Sequence, residues 1–200
     1  MTTATDAVGT TGIELRRRRL ASGEARAAVF TRRYDADVAD VWDACTDPAR
    51  LARWYAPVEG DLRLGGRFTQ GDFGPGRVLE CEPPYVLRVG LGGADPSTDE
   101  ITLRLTEGED GTTVLEFEHA TTLDAHDMGG QVFDAVYCMG GGYGPRLVTL
   151  EQHLNGTLPV DLDATQLHMR EDYRSPIQDS MAALDVLVTA DKASPVPVTD

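Results

Sequence analysis

A few residues combine a chemically useful side chain with a position where it could act. His119 is the best candidate for acid–base chemistry, because the unperturbed pKa of histidine lies near neutrality. Tyr143 could donate a hydrogen bond to a ligand carbonyl, and Arg146 or Arg67 could bind a carboxylate. Each also has an ordinary structural interpretation: a strand-end histidine bonded to a carbonyl, a tyrosine that fills space against a sheet, and solvated arginines. The sequence leaves both interpretations open.

Several kinds of chemistry lack their motifs in this sequence. Asp124, His126 and Asp127 are suitable types for metal ligands, but no HExxH or paired-histidine spacing accompanies them, so we predict no metal. A GxSxG nucleophile elbow and a glycine-rich phosphate loop are also missing, and we predict no cofactor. The one lysine, Lys192, lies close to the last residue, which argues against a Schiff-base mechanism in the core.

The composition excludes several classes of protein. A formal net charge of −15 disfavours binding to nucleic acid or anionic lipid. No apolar run approaches the roughly 18 residues of a membrane span, and the first residues lack the apolar core of a signal peptide. Cys45, Cys81 and Cys138 are widely spaced without a CxxC pair, which favours reduced thiols. We therefore expect a cytoplasmic protein, and arginine used in place of lysine favours a GC-rich bacterial source.

The first third of the chain predicts a β-hairpin followed by two short helices. Residues 13–20 and 24–34 are extended segments on either side of a tight turn. Asp37 is a typical helix N-cap before an apolar pattern of helical period, and Asp47 with Pro48 starts a second helix.

Short strands separated by glycine and proline follow, and they predict an antiparallel meander. Because strand side chains alternate between faces, Leu103, Phe117 and His119 should point to the same side of the sheet. The spacing of Tyr143, Leu147 and later leucines predicts a long helix over residues 145–154, with two more helical segments near residues 164–173 and 177–189. A curved sheet that grips one helix leaves space for a ligand between them.

Five segments, in order along the chain, carry a resemblance to a known family. They are residues 41–54 (VWxAxTDPxxLxxW), 65–68 (GGRF), 76–84 (GRVxxxEPP), 111–119 (GTxxLEFEH) and 142–154 (GYxxxLxxLxxxL). Together they resemble proteins related to the activator of the heat-shock protein 90 ATPase, in the START-like (SRPBCC) helix-grip superfamily. The resemblance implies an α+β helix-grip fold: a curved antiparallel sheet wrapped around a long C-terminal helix, with two short helices after the first strand region and a C-terminal helical extension.

On this basis we expect a START-like domain over residues 11–158, a helical extension packed on it over residues 159–191, and flexible ends at residues 1–10 and 192–200. The family's eukaryotic co-chaperone carries an additional N-terminal domain with a lysine-containing basic motif, which has no match in this sequence. Heat-shock protein 90 is therefore not an expected partner, whereas a homodimer stays open.

Three function hypotheses stay open, because the superfamily includes ligand carriers, cyclases and co-chaperones. The first is non-enzymatic binding of a hydrophobic or aromatic small molecule in the cavity between sheet and long helix. The second is a cofactor-free cyclase or dehydratase for a polyketide-like substrate, with His119 and Tyr143 as catalytic residues. The third is a chaperone-regulating interaction protein. The predicted ligand-binding residues are Trp54, Phe68, Tyr85, Leu87, Val89, Leu103, Phe117, His119, Tyr143, Arg146 and Leu147.

Overall fold

One antiparallel sheet organises the structure, a computed structural model that describes residues 10–108 and 110–199. The expected flexible segment 1–10 lies outside these residues except for Thr10. The strands are β1 (Thr11–Leu20), β2 (Gly23–Tyr34), β3 (Val58–Gly60), β4 (Arg67–Gln70), β5 (Pro75–Glu82), β6 (Val86–Leu91), β7 (Asp99–Glu107), β8 (Thr113–Thr121), β9 (Ala125–Met128), β10 (Gln131–Asp134) and β11 (Val198–Thr199).

Within the described residues, nine of these strands form the sheet in the order β11-β1-β2-β8-β7-β6-β5-β4-β3. Neighbouring strands are antiparallel except for β11, which runs parallel to β1. The strands β9 and β10 form a separate hairpin that leads into the long helix.

Two capped helices follow the first hairpin, as the sequence predicts. The Asp37 side chain accepts a hydrogen bond from the Asp40 amide at the start of α1 (Val38–Thr46), and Asp47 accepts one from the Arg50 amide at the start of α2 (Pro48–Trp54). The Trp54 indole N–H donates to the Ala44 carbonyl at 2.8 Å and ties the two helices together. Their buried faces close one end of the sheet.

The long helix α3 (Ala135–Leu154) begins ten residues before position 145, the start that the sequence predicts. The glycines before Tyr143, and Pro145, are poor helix residues and suggest a late start. Asp134 overrides that local preference, because its carboxylate caps the Val136 amide at 3.0 Å and α3 then buries Ala135, Val136 and Met139. Tertiary burial thus lengthens the helix.

The chain after α3 folds back over it. Two short 3-10 segments, Ala164–Met169 and Glu171–Tyr173, precede α4 (Arg174–Ala193), which packs along α3. Within residues 192–199 the chain forms the end of α4 and the short strand β11. The preceding Asp191 carboxylate accepts hydrogen bonds from the Val196 amide and from the Arg17 guanidinium.

The predicted α+β architecture is therefore confirmed: an antiparallel sheet grips a long C-terminal helix, with two short helices after the first hairpin. Among the described residues, no helix has the length and apolar composition needed to cross a membrane.

Gly144 sets the distance between α3 and α4. A Cβ atom at this position would lie 2.5 Å from the Ser180 Cβ and 3.1 Å from the Pro176 carbonyl oxygen. We expect Gly144→Ala to push the helices apart and to lower the free energy of unfolding by about 1–3 kcal/mol, measured by urea unfolding.

Gly142→Ala is the matched control, because its added Cβ would meet nothing closer than an Arg146 nitrogen at 3.9 Å. That substitution should leave stability unchanged or raise it by up to about 1 kcal/mol, since alanine favours the helix. Ser180→Gly should recover part of the loss in the Gly144→Ala background. Equal stability of the two alanine variants would contradict the proposed close packing.

Candidate functional site

An apolar cavity of about 210 Å³ lies between the sheet and helices α1 and α2. It is lined by side chains from both helices and from strands β3 to β8. The wall is aliphatic, aromatic or sulfur-containing except at Thr46, Gln70 and the hydroxyl of Tyr55. None of the described lining residues is charged. We call this the inner cavity.

Six of the predicted ligand-binding residues line the inner cavity: Trp54, Phe68, Leu87, Val89, Leu103 and Phe117. Strand register explains why the sheet residues meet. Leu87, Leu103 and Phe117 are direct partners across β6, β7 and β8, so their side chains project from the same face. Alternation within each strand was enough to predict this row.

A second, more polar pocket of about 440 Å³ lies beside the inner cavity, at the N-terminal half of α3. His119, Tyr143 and Arg146, three more of the predicted residues, line it together with residues from the ends of β4, β6 and β7. We call this the outer pocket. The sequence predicts one cavity under the long helix, whereas the described residues enclose two adjoining spaces here, of which the outer one reaches α3.

Tyr55 and Gln70 form the partition, because both residues line both spaces. The Tyr55 hydroxyl donates to the Gln70 Oε1 at 2.7 Å, and the Tyr55 ring stacks on Phe73 with centroids 6.0 Å apart. Burial raises the pKa of Tyr55 to about 12, so its hydroxyl stays protonated and remains a donor at neutral pH.

His119 and Asp99 form a side-chain pair in the outer pocket. The His119 Nε2 lies 3.3 Å from the Asp99 Oδ1, and the His119 Nδ1 is buried with no partner among the described residues. Burial tends to raise the pKa of Asp99, but hydrogen bonds from His119, Thr98 and Thr121 and the charge of His119 outweigh it and lower that pKa. The pair could hold an imidazole in a fixed orientation toward a ligand.

Tyr143 packs its ring between the sheet and the pocket. Its ring centroid is 4.5 Å from that of Phe117 and 5.4 Å from that of His119. Burial raises the pKa of Tyr143 well above its usual value, so at neutral pH this residue can donate a hydrogen bond but cannot serve as a base.

Arg146 is the buried cation of the outer pocket, with 8% of its surface exposed. Its guanidinium carbon lies 4.9 Å from the Phe73 ring centroid and 5.6 Å from that of Tyr55. One guanidinium nitrogen, Nη1, donates to the Gly142 carbonyl oxygen one turn earlier. Burial lowers the pKa of Arg146, since the charged form loses hydration.

Two predicted residues line neither space. Tyr85 precedes β6 in the turn after Pro83-Pro84, is 46% exposed, and donates its hydroxyl to Glu107 at 2.9 Å. It lies outside β6, so the alternation that places Leu87 inward does not extend to it. Leu147 is buried in the core, where the Tyr34 hydroxyl donates to its carbonyl at 3.2 Å.

Among the lining residues that the sequence did not predict, four make the polar and aromatic contacts described above: Asp99, Tyr55, Gln70 and Phe73. A signal exists for Gln70, because it shares strand parity with Phe68 in β4. The partnership of Tyr55, Phe73 and Arg146 joins the C-terminus of α2, the 3-10 turn Gly71–Phe73 and α3, and local pattern carries no signal for it. No group of three or more potential metal ligands occurs in the part of the chain that the structure describes.

Comparison with known proteins identifies close relatives of the fold. The family model described as "Activator of Hsp90 ATPase homolog 1-like protein" matches residues 35–142. The crystal structure of CalU16 from Micromonospora echinospora is 33% identical, covers 90% of this chain and 99% of its own, and has a TM-score of 0.72. No curated protein matches the chain.

Two other similar structures are evidence of a shared fold alone, because their sequence identity to this chain is 20% and 24%. PFC0360w, an HSP90 activator from Plasmodium falciparum, is 20% identical over 64% of this chain and 96% of its own, with a TM-score of 0.54. DynU16, a protein in the dynemicin biosynthetic locus, is 24% identical over 68% of this chain and 50% of its own, with a TM-score of 0.54.

The lowered pKa of Asp99 predicts a pH-dependent contribution to stability. The ionised carboxylate stabilises the fold above its unfolded pKa of about 4, and the contribution is lost as pH falls through the lower folded pKa. We expect Asp99→Asn to lower the free energy of unfolding by about 1 kcal/mol near neutral pH, with the difference shrinking below about pH 4. Urea unfolding across this range measures it.

Asp95→Asn is a matched control in the preceding loop, because Asp95 is exposed. It should change the free energy of unfolding by less than about 0.5 kcal/mol at neutral pH. A deficit of Asp99→Asn that persists or grows toward acid pH would contradict the assignment.

Proposed function

The chain belongs to the activator of Hsp90 ATPase homolog 1-like family, and we propose that it binds one hydrophobic or aromatic small molecule in the inner cavity and outer pocket. The observation that carries this proposal is the inner cavity itself: about 210 Å³ of space whose described wall is almost wholly apolar. Filled cores of folded proteins leave few voids larger than a water molecule. An apolar space beside a pocket with a few polar groups is typical of a ligand site.

The wall of the inner cavity favours a flat or extended apolar ligand. Phe68 and Phe117 contribute aromatic rings, and Leu87 and Leu103 contribute aliphatic surface from adjacent strands. Each Å² of apolar surface that a ligand removes from water contributes about 25 cal/mol. The inner cavity offers few polar groups that could bind a ligand through hydrogen bonds. The affinity of a ligand for this space would therefore come from its shape and from the apolar area that it buries.

The two spaces together support a ligand with one apolar and one polar end. They share Tyr55 and Gln70, so a molecule that displaces or passes this hydrogen-bonded pair would occupy both. The polar groups of the outer pocket, among them His119 and Arg146, lie on the α3 side of the partition. Entry through the outer pocket would leave the apolar part innermost.

Leu103→Trp tests this proposal, because the larger side chain projects into the inner cavity and should fill it. We expect the affinity for N-phenyl-1-naphthylamine, a neutral fluorescent aromatic probe, to fall at least about tenfold. Fluorescence titration measures the affinity, and saturation at one site per chain is expected for the unchanged protein.

Leu64→Trp is the matched control, because Leu64 is exposed and lines neither space. It should bind the probe as the unchanged protein does. Unaltered affinity in a folded Leu103→Trp variant would overturn the assignment of the inner cavity as the ligand site.

The second candidate function is an acid–base enzyme of the cyclase or dehydratase type, and the His119–Asp99 pair is the observation that favours it. Asp99 contacts one imidazole nitrogen, which leaves the other nitrogen, buried without a partner among the described residues, for proton transfer to a bound ligand. Tyr143 would serve as a hydrogen-bond donor beside it.

A double variant, His119→Ala with Tyr143→Phe, tests the enzyme candidate. A ligand would first be identified by native mass spectrometry of protein purified from its host, as extra mass that is lost on denaturation. Turnover of that ligand should fall by at least about a hundredfold in the double variant. Full turnover by a folded double variant would rule out these two residues as catalytic groups.

An interaction protein would need an exposed apolar face, and the last helical segment is the evident source of one in the sequence. In the structure, Leu184 and Val188 on α4 are buried in the core, and α4 packs along α3. These contacts favour a small-molecule ligand over a protein partner on this face.

A further inference from the structure

Arg146 differs from the other deeply buried arginine of the described chain. Two arginines there, Arg32 and Arg146, are more than nine-tenths buried, with 5% and 8% of their surface exposed. Arg32 forms an ion pair with Glu151. Within the described residues Arg146 has no carboxylate within ion-pair distance, and its Nε has no hydrogen-bond partner.

A buried cation without a counter-charge is costly, and proteins normally pair it. The rings of Tyr55 and Phe73 offset part of this cost through cation–π contacts, and the Gly142 carbonyl accepts from Nη1. The edge of the planar group that carries Nε is not used by these contacts. That edge is one of the two with which a guanidinium binds a carboxylate through two parallel hydrogen bonds.

The other titratable groups around the outer pocket leave a place for an anion. Asp99 is the one acidic residue among its described lining residues, and its carboxylate is engaged by His119, Thr98 and Thr121. His119, which is 9% exposed, presents an Nδ1 that also lacks a partner. Two buried nitrogen groups in one pocket thus have unmet hydrogen bonds, and one of them belongs to a full positive charge.

Resting on the proposed function, we infer that the bound molecule is an amphipathic acid, with an oxyanion such as a carboxylate held by Arg146 and an apolar body in the inner cavity. The geometry is continuous, because Tyr55 contacts the Arg146 guanidinium on one side and lines the inner cavity on the other. The anion would supply the counter-charge that Arg146 lacks among the described residues.

Two nearly isosteric probes separate this inference from the proposed function. 1-Naphthaleneacetate carries the carboxylate, and 1-naphthaleneacetamide replaces it with a neutral amide on the same ring system. By isothermal titration calorimetry at neutral pH, we expect the unchanged protein to bind the acetate at least about tenfold more tightly than the acetamide.

Arg146→Met should remove this selectivity, because methionine keeps an apolar chain against Tyr55 and Phe73 but has no charge. The acetamide should then bind within about threefold of its affinity for the unchanged protein. Without ligand, the variant should unfold at the same or a higher urea concentration, since it no longer buries an unpaired charge. A purely structural role for Arg146 would instead lower its stability. Arg104→Met, on the exposed face of β7, is the matched control and should change neither measurement.

The outcomes distinguish the two proposals. Equal affinity of the unchanged protein for acetate and acetamide would overturn the inference and leave the proposed function standing. Failure of both probes to bind would contradict the proposed function and the inference with it. Retained selectivity in Arg146→Met would assign the anion to another group. If Arg146→Met does not fold, Arg146 has a structural role and the inference fails.

Discussion

The structure depends on one constraint: the apolar inner face of the sheet must be shielded from water, and the helices of this chain cover it unevenly. Helix α3 packs on β2 and β8, where Phe30 and Leu115 are fully buried. Helices α1 and α2 contact β7 and β3 and close the other end. The side chains of α1 and α2 do not fill the space between these helices and the sheet, and the inner cavity remains there. The inner cavity is thus a consequence of how the core is closed.

The boundary of that cavity is polar because three separate segments meet there. Tyr55 follows α2, Gln70 ends β4, and Phe73 lies in the short 3-10 turn that follows β4. Arg146 reaches them from α3 and lies over two of their rings. A neutral tyrosine hydroxyl, an amide and a buried guanidinium therefore stand side by side at the exit from an apolar space. This juxtaposition supports a molecule with one apolar and one anionic end better than a wholly apolar one.

Relatives with the same fold carry very different descriptions, from an HSP90 activator to a protein of the dynemicin biosynthetic locus. The shared fold therefore leaves function to the side chains that line the cavity. The family model ends at residue 142, before Tyr143 and Arg146, whereas the similarity to CalU16 extends over 90% of this chain. The α3–α4 region is consequently the part in which to compare this chain with CalU16 and with more distant relatives.

The sequence by itself determined the architecture and part of the inner cavity wall, because these follow from local pattern. Strand alternation places Leu87, Leu103 and Phe117 on one face, and the Asp37 and Asp47 caps fix the two short helices. Only the tertiary structure decided the early start of α3 and the division of the site, and it placed Tyr85 outside. Arg146 is the clearest case, since a helical arginine is ordinarily solvated and its burial depends on Tyr55 and Phe73, more than seventy residues earlier in the chain. Periodicity reports which neighbours along the chain share a face, whereas burial depends on which distant segments pack against that face.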